Sequence, residues 1–315
     1  MNRITFSKLV IVAWAVASAV ACSKSSSSGP STSSNTDTTK SSSTGTGSGA
    51  GLLKTEVLSM QAGALGTIDS VVYAFQYNSS KQLSGLQQTT ISTFSGTTFN
   101  TSITYTYTYS GSLVSSIAGT VNESITGTSG NYSSATTLTV TFQSAAGKIT
   151  GYVQKATTTG SPLIPATPET ANDSAVITYD GSGNAASYNI YLLSSGSYTP
   201  WTQETFTFSG GNMTGTVINN FDAGVETNTE TSAYTYNTKL PPSPYYGIPG
   251  VPVSNANDVT GLVQTTTGVN PASVSFTYTT TYNSANQPTS SSVAVTQTPA
   301  NADNITSEQI TYTYQ

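Results

Sequence analysis

One short run of oxygen-bearing side chains has the spacing of a calcium-binding loop. The stretch DGSGN, residues 180–184, places oxygen atoms at every second position, as such loops do. A twelve-residue calcium loop ends in a bidentate glutamate, and Tyr191 occupies that position here. We therefore interpret the stretch as a hairpin turn and expect no metal in it.

Three acidic residues, Asp222, Glu226 and Glu230, are spaced four residues apart. This spacing lines one face of a helix, but the surrounding residues read as a loop followed by a strand. On a strand, residues an even number of positions apart also share a face. The sequence is therefore compatible with a weak cation site and with a solvated strand edge. We favour the solvated edge.

The composition argues against an enzyme. Glycoside hydrolysis needs two carboxyl groups about 5 to 9.5 Å apart, and the 14 acidic residues are scattered without an obvious pair. The chain has no histidine, which excludes Ser-His-Asp and Cys-His catalysis and every His-ligated metal site. We predict a protein that is not an enzyme and has no cofactor.

The N-terminus reads as an export signal that ends at the only cysteine. Arg3 and Lys8 precede an apolar run at residues 9–21, which is too short for a permanent membrane helix. The sequence ASAVAC then resembles a bacterial lipobox, although Ala19 stands where leucine is usual. We predict a signal peptide at 1–21 and lipidation of Cys22; the alternative is an ordinary secretory signal that contains a cysteine.

A polar segment separates Cys22 from the rest of the chain. Residues 22–51 lack aromatic and large aliphatic side chains after the cysteine, so they should form a flexible tether. We predict one globular domain at 52–315, held at the membrane by the lipid. Without the signal, seven basic residues face fourteen acidic ones, about 7 − 14 = −7, and no arginine remains, so a nucleic-acid partner is not expected.

Short Asp-Ser or Asp-Thr triplets occur in the tether and in the domain. They match a pattern on which envelope proteins of Bacteroidota carry O-glycans. The resemblance makes Thr38, Ser70 and Ser174 candidate sites of O-glycosylation.

A repeated pattern organises the predicted domain. Each unit has aromatic residues at alternate positions, a short polar turn, and an apolar residue that starts a second strand. The last aromatics of successive units are 28 to 37 residues apart, which is typical of a structural repeat. The units lie at residues 72–86, 104–117, 138–153, 176–192, 205–218, 233–237, 275–295 and 310–315.

The alternation predicts strands with two different faces. Tyr105, Tyr107 and Tyr109 should share one face and the intervening threonines the other. We interpret the tyrosine stripe as core or partly covered core; the alternative is a binding face. No useful stretch has a helical period. We predict an all-β domain, a large antiparallel meander of about fourteen to eighteen strands that is twisted and curled into an open barrel-like or two-layer form.

The unit resembles the tyrosine-aspartate repeat of RHS-type proteins, most closely in YDGSGNAAS at 179–187. The whole layout of the chain looks like that of a group of Bacteroidota lipoproteins without an assigned activity. The shared features are the lipobox, the tether, the degenerate repeats, the Pro-rich insertion and the closing ITYTYQ. The chain departs from RHS repeats in lacking most of the aspartates and the Gly-Arg that usually follows them. The resemblance implies a β-rich exported lipoprotein.

Two places interrupt the repeat. Residues 239–258 carry five prolines together with Tyr245 and Tyr246, and proline removes hydrogen-bond donors from a sheet. We predict a stiff excursion there, and a corner around Trp201, which follows Pro200. Tyr245, Tyr246 and Trp201 are candidate ligand contacts. The interpretation that we favour is structural: the two tyrosines cover an open sheet face or edge, and Trp201 fills a buried corner.

The predicted function is that of an outer-membrane lipoprotein of the cell envelope with a binding or scaffolding role. Its partner would be a glycan or an envelope protein. The alternative is a carrier of a lipid or another apolar ligand inside a curled sheet. A continuous apolar cavity would favour the carrier, and a filled interior would favour the binder. The sequence leaves open whether the domain faces the periplasm or the medium.

Overall fold

A computed structural model of the protein describes residues 51–62, 68–94, 97–127, 131–161, 169–194, 196–242, 255–268, 271–299 and 305–315. The described residues form strands and turns, and none of them belongs to a helix long and apolar enough to cross a membrane. The strands are β1 Leu53–Ala62, β2 Ile68–Tyr77, β3 Leu83–Phe94, β4 Thr97–Ser110, β5 Leu113–Thr126, β6 Tyr132–Ala145, β7 Lys148–Ser161, β8 Glu169–Tyr179, β9 Ala185–Ser194, β10 Ser197–Ser209, β11 Asn212–Asp222, β12 Val225–Tyr236, β13 Val259–Gly268, β14 Ala272–Tyr282, β15 Pro288–Thr298 and β16 Ile305–Tyr314.

The sixteen strands form one closed antiparallel barrel in meander order. Every strand pairs with its neighbours in sequence, and β1 closes the barrel by pairing with β16, for example Leu58 opposite Ile310. The predicted all-β meander and its strand number are confirmed. Of the two forms that the sequence left open, the structure adopts the barrel, which leaves no free sheet edge.

The alternation of side chains explains why these segments form barrel strands. In β6, Leu138 and Val140 are buried while Thr137, Thr139 and Thr141 are exposed. In β4, the buried tyrosines alternate with exposed threonines in the same way. Both residue types favour extended backbone, and the two faces differ enough in polarity to fix which one turns inward.

The inward faces pack into an apolar core. Leu83, Ile117 and Ile149 are completely buried, and Tyr105 and Tyr107 are 5% and 7% exposed, which confirms that the tyrosine stripe is core. A smaller cluster around Met213 and Leu262 shares partly buried neighbours with the main cluster, among them Phe206, Phe276 and Tyr278. Each fully buried side chain contributes about 1.5 to 3 kcal/mol.

Three hairpins at one end of the barrel use the same turn. The side-chain oxygen Oδ1 of Asn78, Asp180 or Asn283 accepts hydrogen bonds from the backbone N–H groups two and four residues later. This is the local bonding that makes Asn and Asp favourable in turns. The stretch at 180–184 is thus a hairpin turn, as predicted. We call this end of the barrel, which also carries Gly51 and Gln315, the turn end, and the opposite end the far end.

Tyrosine hydroxyls tie neighbouring strands together at the turn end. Tyr77 donates to the backbone carbonyl of Leu53, Tyr109 to that of Leu83, and Tyr179 to that of Ile149. Tyr236 donates to the carbonyl of Met213. In each case the last aromatic of a unit reaches the first apolar residue of the strand before it. We call these four contacts the tyrosine ties.

The return of the Pro-rich excursion is anchored on the barrel. Residues 243–254, with Tyr245 and Tyr246, lie outside the described residues. Asn255 is 1% exposed and its Oδ1 accepts hydrogen bonds from the N–H of Met213 and the hydroxyl of Tyr236. Asn257 and Asn212 bond to each other twice. The returning chain therefore covers the turn between β10 and β11.

Candidate functional site

The outer wall of the barrel is polar over its described surface. Threonine, serine, asparagine and glutamine fill most outward positions, and the exposed large apolar side chains there are scattered, apart from the directly paired Leu193 and Tyr198. Val176 lies between Gly151 and Asn189 in the register, and Val217 lies between Thr205 and Thr231. The described wall thus has no continuous apolar band.

A depression of about 560 Å³ crosses the outer wall from β3 to β7. Residues paired in an antiparallel sheet share a face, and the register places two rows of outward side chains in it. We call this depression the trough. Its lining consists of Thr89, Asn100, Thr101, Ser102, Asn122, Glu123, Ser124, Ser133, Ser134, Ala135, Thr159 and Gly160.

Inward-facing carboxyl groups are the main feature of the interior that sequence reasoning missed. The described inward-facing acids have no inward-facing lysine beside them, because Lys54 and Lys155 are exposed and Lys81, Lys148 and Lys239 lie at or beside the turns. These acids are Glu56, Glu123, Asp173, Glu204, Glu230, Asp258 and Glu308.

Glu56 is the most isolated of these carboxyls. It is 4% exposed, and its Oε2 has no hydrogen-bond partner among the described residues. In the register it lies between Tyr73 of β2 and Tyr312 of β16, at the seam where the barrel closes. Burial raises the pKa of Glu56 to about 8, so the carboxyl is protonated at neutral pH.

Asp173 is held by an amide. It is 2% exposed; Gln154 donates to its Oδ2 across 3.1 Å, and its Oδ1 has no partner among the described residues. Burial raises the pKa of Asp173 to about 7. The adjacent phenols are also bonded, since the hydroxyl of Tyr188 donates to that of Tyr152 at 2.8 Å. The group forms a polar layer within the core.

Glu230 lies inside the barrel, which corrects the prediction of a solvated edge for this residue. Amides of Asn220 and Gln264 donate to its two oxygens at 3.3 and 3.0 Å. Asp222 and Glu226 are exposed beside the turn between β11 and β12. The three acids therefore do not converge, and the described residues contain no group of three or more His, Cys, Asp or Glu that could hold a metal ion.

Glu204 and Glu230 are two inward carboxyl groups that lie close together in the register. Both Glu204 and Glu230 are register partners of Ile218, so they lie two strands apart on the inner face. Burial, and then the charge of Glu230, raise the pKa of Glu204 to about 7. Its other register partner is Tyr188.

The signal that could have located these acids is the period of two. Glu204 has the same parity as Phe206 and Phe208, and Asp173 has the same parity as Ile177 and Tyr179. A carboxyl in step with core residues must point inward. Charged residues usually lie at the surface, and this general preference conflicts with the period of two at these positions.

Of the predicted site residues, Cys22, Thr38, Tyr245 and Tyr246 lie outside the described residues. Trp201 is half-buried, packs against the main core cluster, and occupies a register shift between Pro200 and Thr202. A role of Trp201 in ligand contact stays a prediction.

The two described candidates for O-glycosylation lie on the outer wall. Ser70 is paired with Ser59 and Ile91, and Ser174 with Val153 and Tyr191. Both are half-buried, and their modification stays a prediction.

Fold and surface together define an all-β protein, a closed sixteen-stranded meander barrel with a packed apolar core and a polar outer wall. No protein-family model and no curated protein matches the chain. Among solved structures it is similar to a porin-like protein from Bacteroides uniformis, with 16% identity and a TM-score of 0.48 over 84% of this chain and 96% of the other. A porin-like protein from Bacteroides vulgatus has 12% identity and a TM-score of 0.48 over 84% of this chain and 99% of the other.

Proposed function

We propose that this protein is an exported, lipid-anchored barrel of the cell envelope that binds or scaffolds a glycan or an envelope protein through its outer wall, without catalysing a reaction. The observation that carries the proposal is the division of the barrel into a packed apolar interior and a polar exterior. A ligand of such a barrel meets the outer wall or the ends. The polar wall would therefore be the contact surface.

The same division weighs against two alternatives. A carrier of apolar ligands needs an apolar cavity, whereas Leu83, Ile117 and Ile149 are fully buried against their neighbours. A pore-forming barrel needs an outward apolar band about 25 Å tall, whereas β4 turns Thr104, Thr106 and Thr108 outward. Non-enzymatic binding at the outer membrane is the role that we infer.

The proposed anchor also gives the barrel an orientation. Gly51 lies at the turn end, where its N–H and carbonyl bond to the side chain of Gln287. A tether at 22–51 would thus join the turn end to a lipid on Cys22. The far end and the outer wall near it would then point away from the membrane. The resemblance to Bacteroidota lipoproteins supports this arrangement.

Fractionation of cells that carry Cys22→Ser tests the anchor. We expect the wild-type protein in the membrane fraction and the variant in the soluble fraction. Tryptophan fluorescence and thermal melting should be unchanged, because Cys22 precedes the folded domain. Unchanged membrane retention of the variant would contradict the lipid anchor.

Binding assays with the purified mature protein test the role. We expect retention on immobilised envelope polysaccharide or envelope protein, no lipid in an organic extract of the protein, and no conductance in planar bilayers. A stoichiometric lipid would favour the carrier instead. Stepwise conductance would favour a pore.

A further inference from the structure

We propose that the trough on β3 to β7 is a binding site for an uncharged glycan chain that lies across the strands; the inference rests on the envelope-binding role proposed above and names its ligand class. The trough is the depression of about 560 Å³ already described. Eight of its twelve lining residues face outward in the register.

The register arranges the trough as two parallel rows. One row runs from Thr89 through Ser102, Asn122 and Ala135 to Thr159. Adjacent strands are about 4.8 Å apart, so four steps span about 19 Å. The site is therefore elongated across the sheet and suits an extended polymer.

The second row contributes both amide and apolar groups. It contains Asn100, Ser124 and Ser133, and Ile91 continues this row just outside the lining of the trough. Ile91 is 46% exposed and is paired with Asn100 at the edge of the trough. Sugar rings present C–H faces as well as hydroxyl groups, and this row offers a partner for each.

The polar side chains of the trough have free hydrogen-bonding capacity. Among the described residues, neither the amides of Asn100 and Asn122 nor the hydroxyl of Ser102 bonds to another side chain or backbone group. Elsewhere on the outer wall such groups often pair, as in Thr178 with Ser187 at 2.7 Å and Ser292 with Gln309 at 3.1 Å. The two amides and the hydroxyl of Ser102 are therefore available to a ligand, whereas the hydroxyl of Thr159 donates to the carbonyl of Ala135.

The charge of the trough selects the class of ligand. Its lining includes no lysine, and the side chain of Glu123 faces the interior, where its carboxylate accepts a hydrogen bond from Ser134 at 3.0 Å. The outward side chains of the trough carry no charge, so an anionic polysaccharide finds no cation there and a basic protein segment finds no carboxylate. An uncharged polyhydroxylated chain matches the amides and hydroxyls without an unpaired charge.

The trough is also placed for contact with material outside the anchored protein. Asn100 lies near the start of β4, at the far end of the barrel, while Gly51 lies at the turn end. A protein anchored through the proposed tether would hold the trough on the half of the barrel away from the lipid.

The test uses the full mature lipoprotein in detergent, with a neutral β-glucan and a neutral mannan as probes and alginate as the anionic comparison. Asn100→Ala/Asn122→Ala removes both amides of the trough. Asn172→Ala/Asn189→Ala is the matched control, because these residues also face outward and bond to no other described side chain. Titration calorimetry measures affinity, and thermal melting verifies that each variant is folded.

We expect a neutral glycan to bind, the trough variant to bind at least about tenfold more weakly, and the control to bind like the wild type. If the trough variant does not fold, Ser124→Tyr, which fills the trough, takes its place. Equal affinity of trough variant and control would overturn the site while leaving an envelope-binding role intact. Preference for alginate would overturn the ligand class, and absence of binding to every glycan would overturn both the site and the glycan role.

Discussion

The hydroxyl of Tyr109 donates a hydrogen bond to the backbone carbonyl of Leu83 across 2.8 Å, and so joins the end of β4 to the start of β3. Leu83 is completely buried. The same relationship recurs between Tyr179 and Ile149, whose side chain is also completely buried. Repetition of this tie explains why aromatics end so many of the sequence units.

Replacing Tyr109 by phenylalanine tests the tyrosine ties. The ring remains in place, but the carbonyl of Leu83 loses its side-chain donor, so we expect a loss of about 0.5 to 1.5 kcal/mol. Urea unfolding measures the change. Tyr198→Phe is the control, since Tyr198 is 47% exposed and should tolerate the loss of its hydroxyl. Equal stability of both variants would show that the ties do not stabilise the barrel.

Replacing Ile149 by alanine tests whether the interior is packed. Ile149 is completely buried in the main cluster, so the truncation should cost about 2 to 5 kcal/mol through lost burial and a residual cavity. Thermal melting and urea unfolding detect a loss of this size. Val225→Ala, at a position that is 69% exposed, should change stability by less than about 0.5 kcal/mol. A small effect at Ile149 would favour a hollow barrel and the carrier alternative.

Glu56 predicts an unusual dependence of stability on pH. Its pKa in the folded state is about 8, above the ordinary value of 4.5, so the folded protein binds a proton that the unfolded chain releases. The contribution of Glu56 to the free energy of unfolding is therefore fully present below about pH 4.5. It is lost as the pH rises towards 8. Each such group changes stability by at most about 1.4 kcal/mol per pH unit in that window.

Glu56→Gln supplies the neutral side chain at every pH. We expect equal stability of wild type and variant near pH 4.5, and a variant that is more stable by about 1 to 3 kcal/mol at pH 8. Urea unfolding at the two pH values measures the difference. Glu226→Gln is the control, because it removes a carboxyl from an exposed position. A wild-type protein that is most stable at pH 8 would contradict the buried, protonated carboxyl.

Deletion of residues 310–315 tests the closure of the barrel. Ile310 and Tyr312 are 4% and 8% exposed, and this segment pairs with β1. The truncated chain would lose that burial, at about 1.5 to 3 kcal/mol for each side chain, and would expose sheet edges on β1 and β15. We expect a melting temperature lower by many degrees and aggregation in size-exclusion chromatography. An unchanged, monomeric melt would show that β16 does not close the barrel.

The period of two in the sequence was sufficient to predict most of the strand faces. Tyr105 and Tyr107 turn inward as their alternation with threonine indicates, and Ile310 and Tyr312 share an inner face with Tyr278. The turn at Asp180 was also predictable, because its side chain bonds to backbone groups within four residues. These features depend on local geometry, which the order of residues specifies directly.

The candidate site was beyond the reach of the sequence. Asn100 and Asn122 are on different strands, and the trough exists only because the register sets Ser102 opposite Asn122 and Asn100 opposite Ser124. The burial of Glu56 likewise depends on Tyr73 and Tyr312, which come from the two strands on either side of β1. Such contacts depend on strand pairing and on the curvature of the whole sheet.

By itself, the sequence determined an all-β meander with a tyrosine-rich inner face, a threonine-rich outer face and short polar turns, since each follows from alternation and turn chemistry within a hairpin. The tertiary structure alone decided that β1 pairs with β16 and that the inward acids are buried without a lysine. Closure joins Leu53 with Tyr314, which are 314 − 53 = 261 positions apart in the chain. No local pattern encodes such a pairing, because it becomes favourable only when all sixteen strands curl together and bury one common interior.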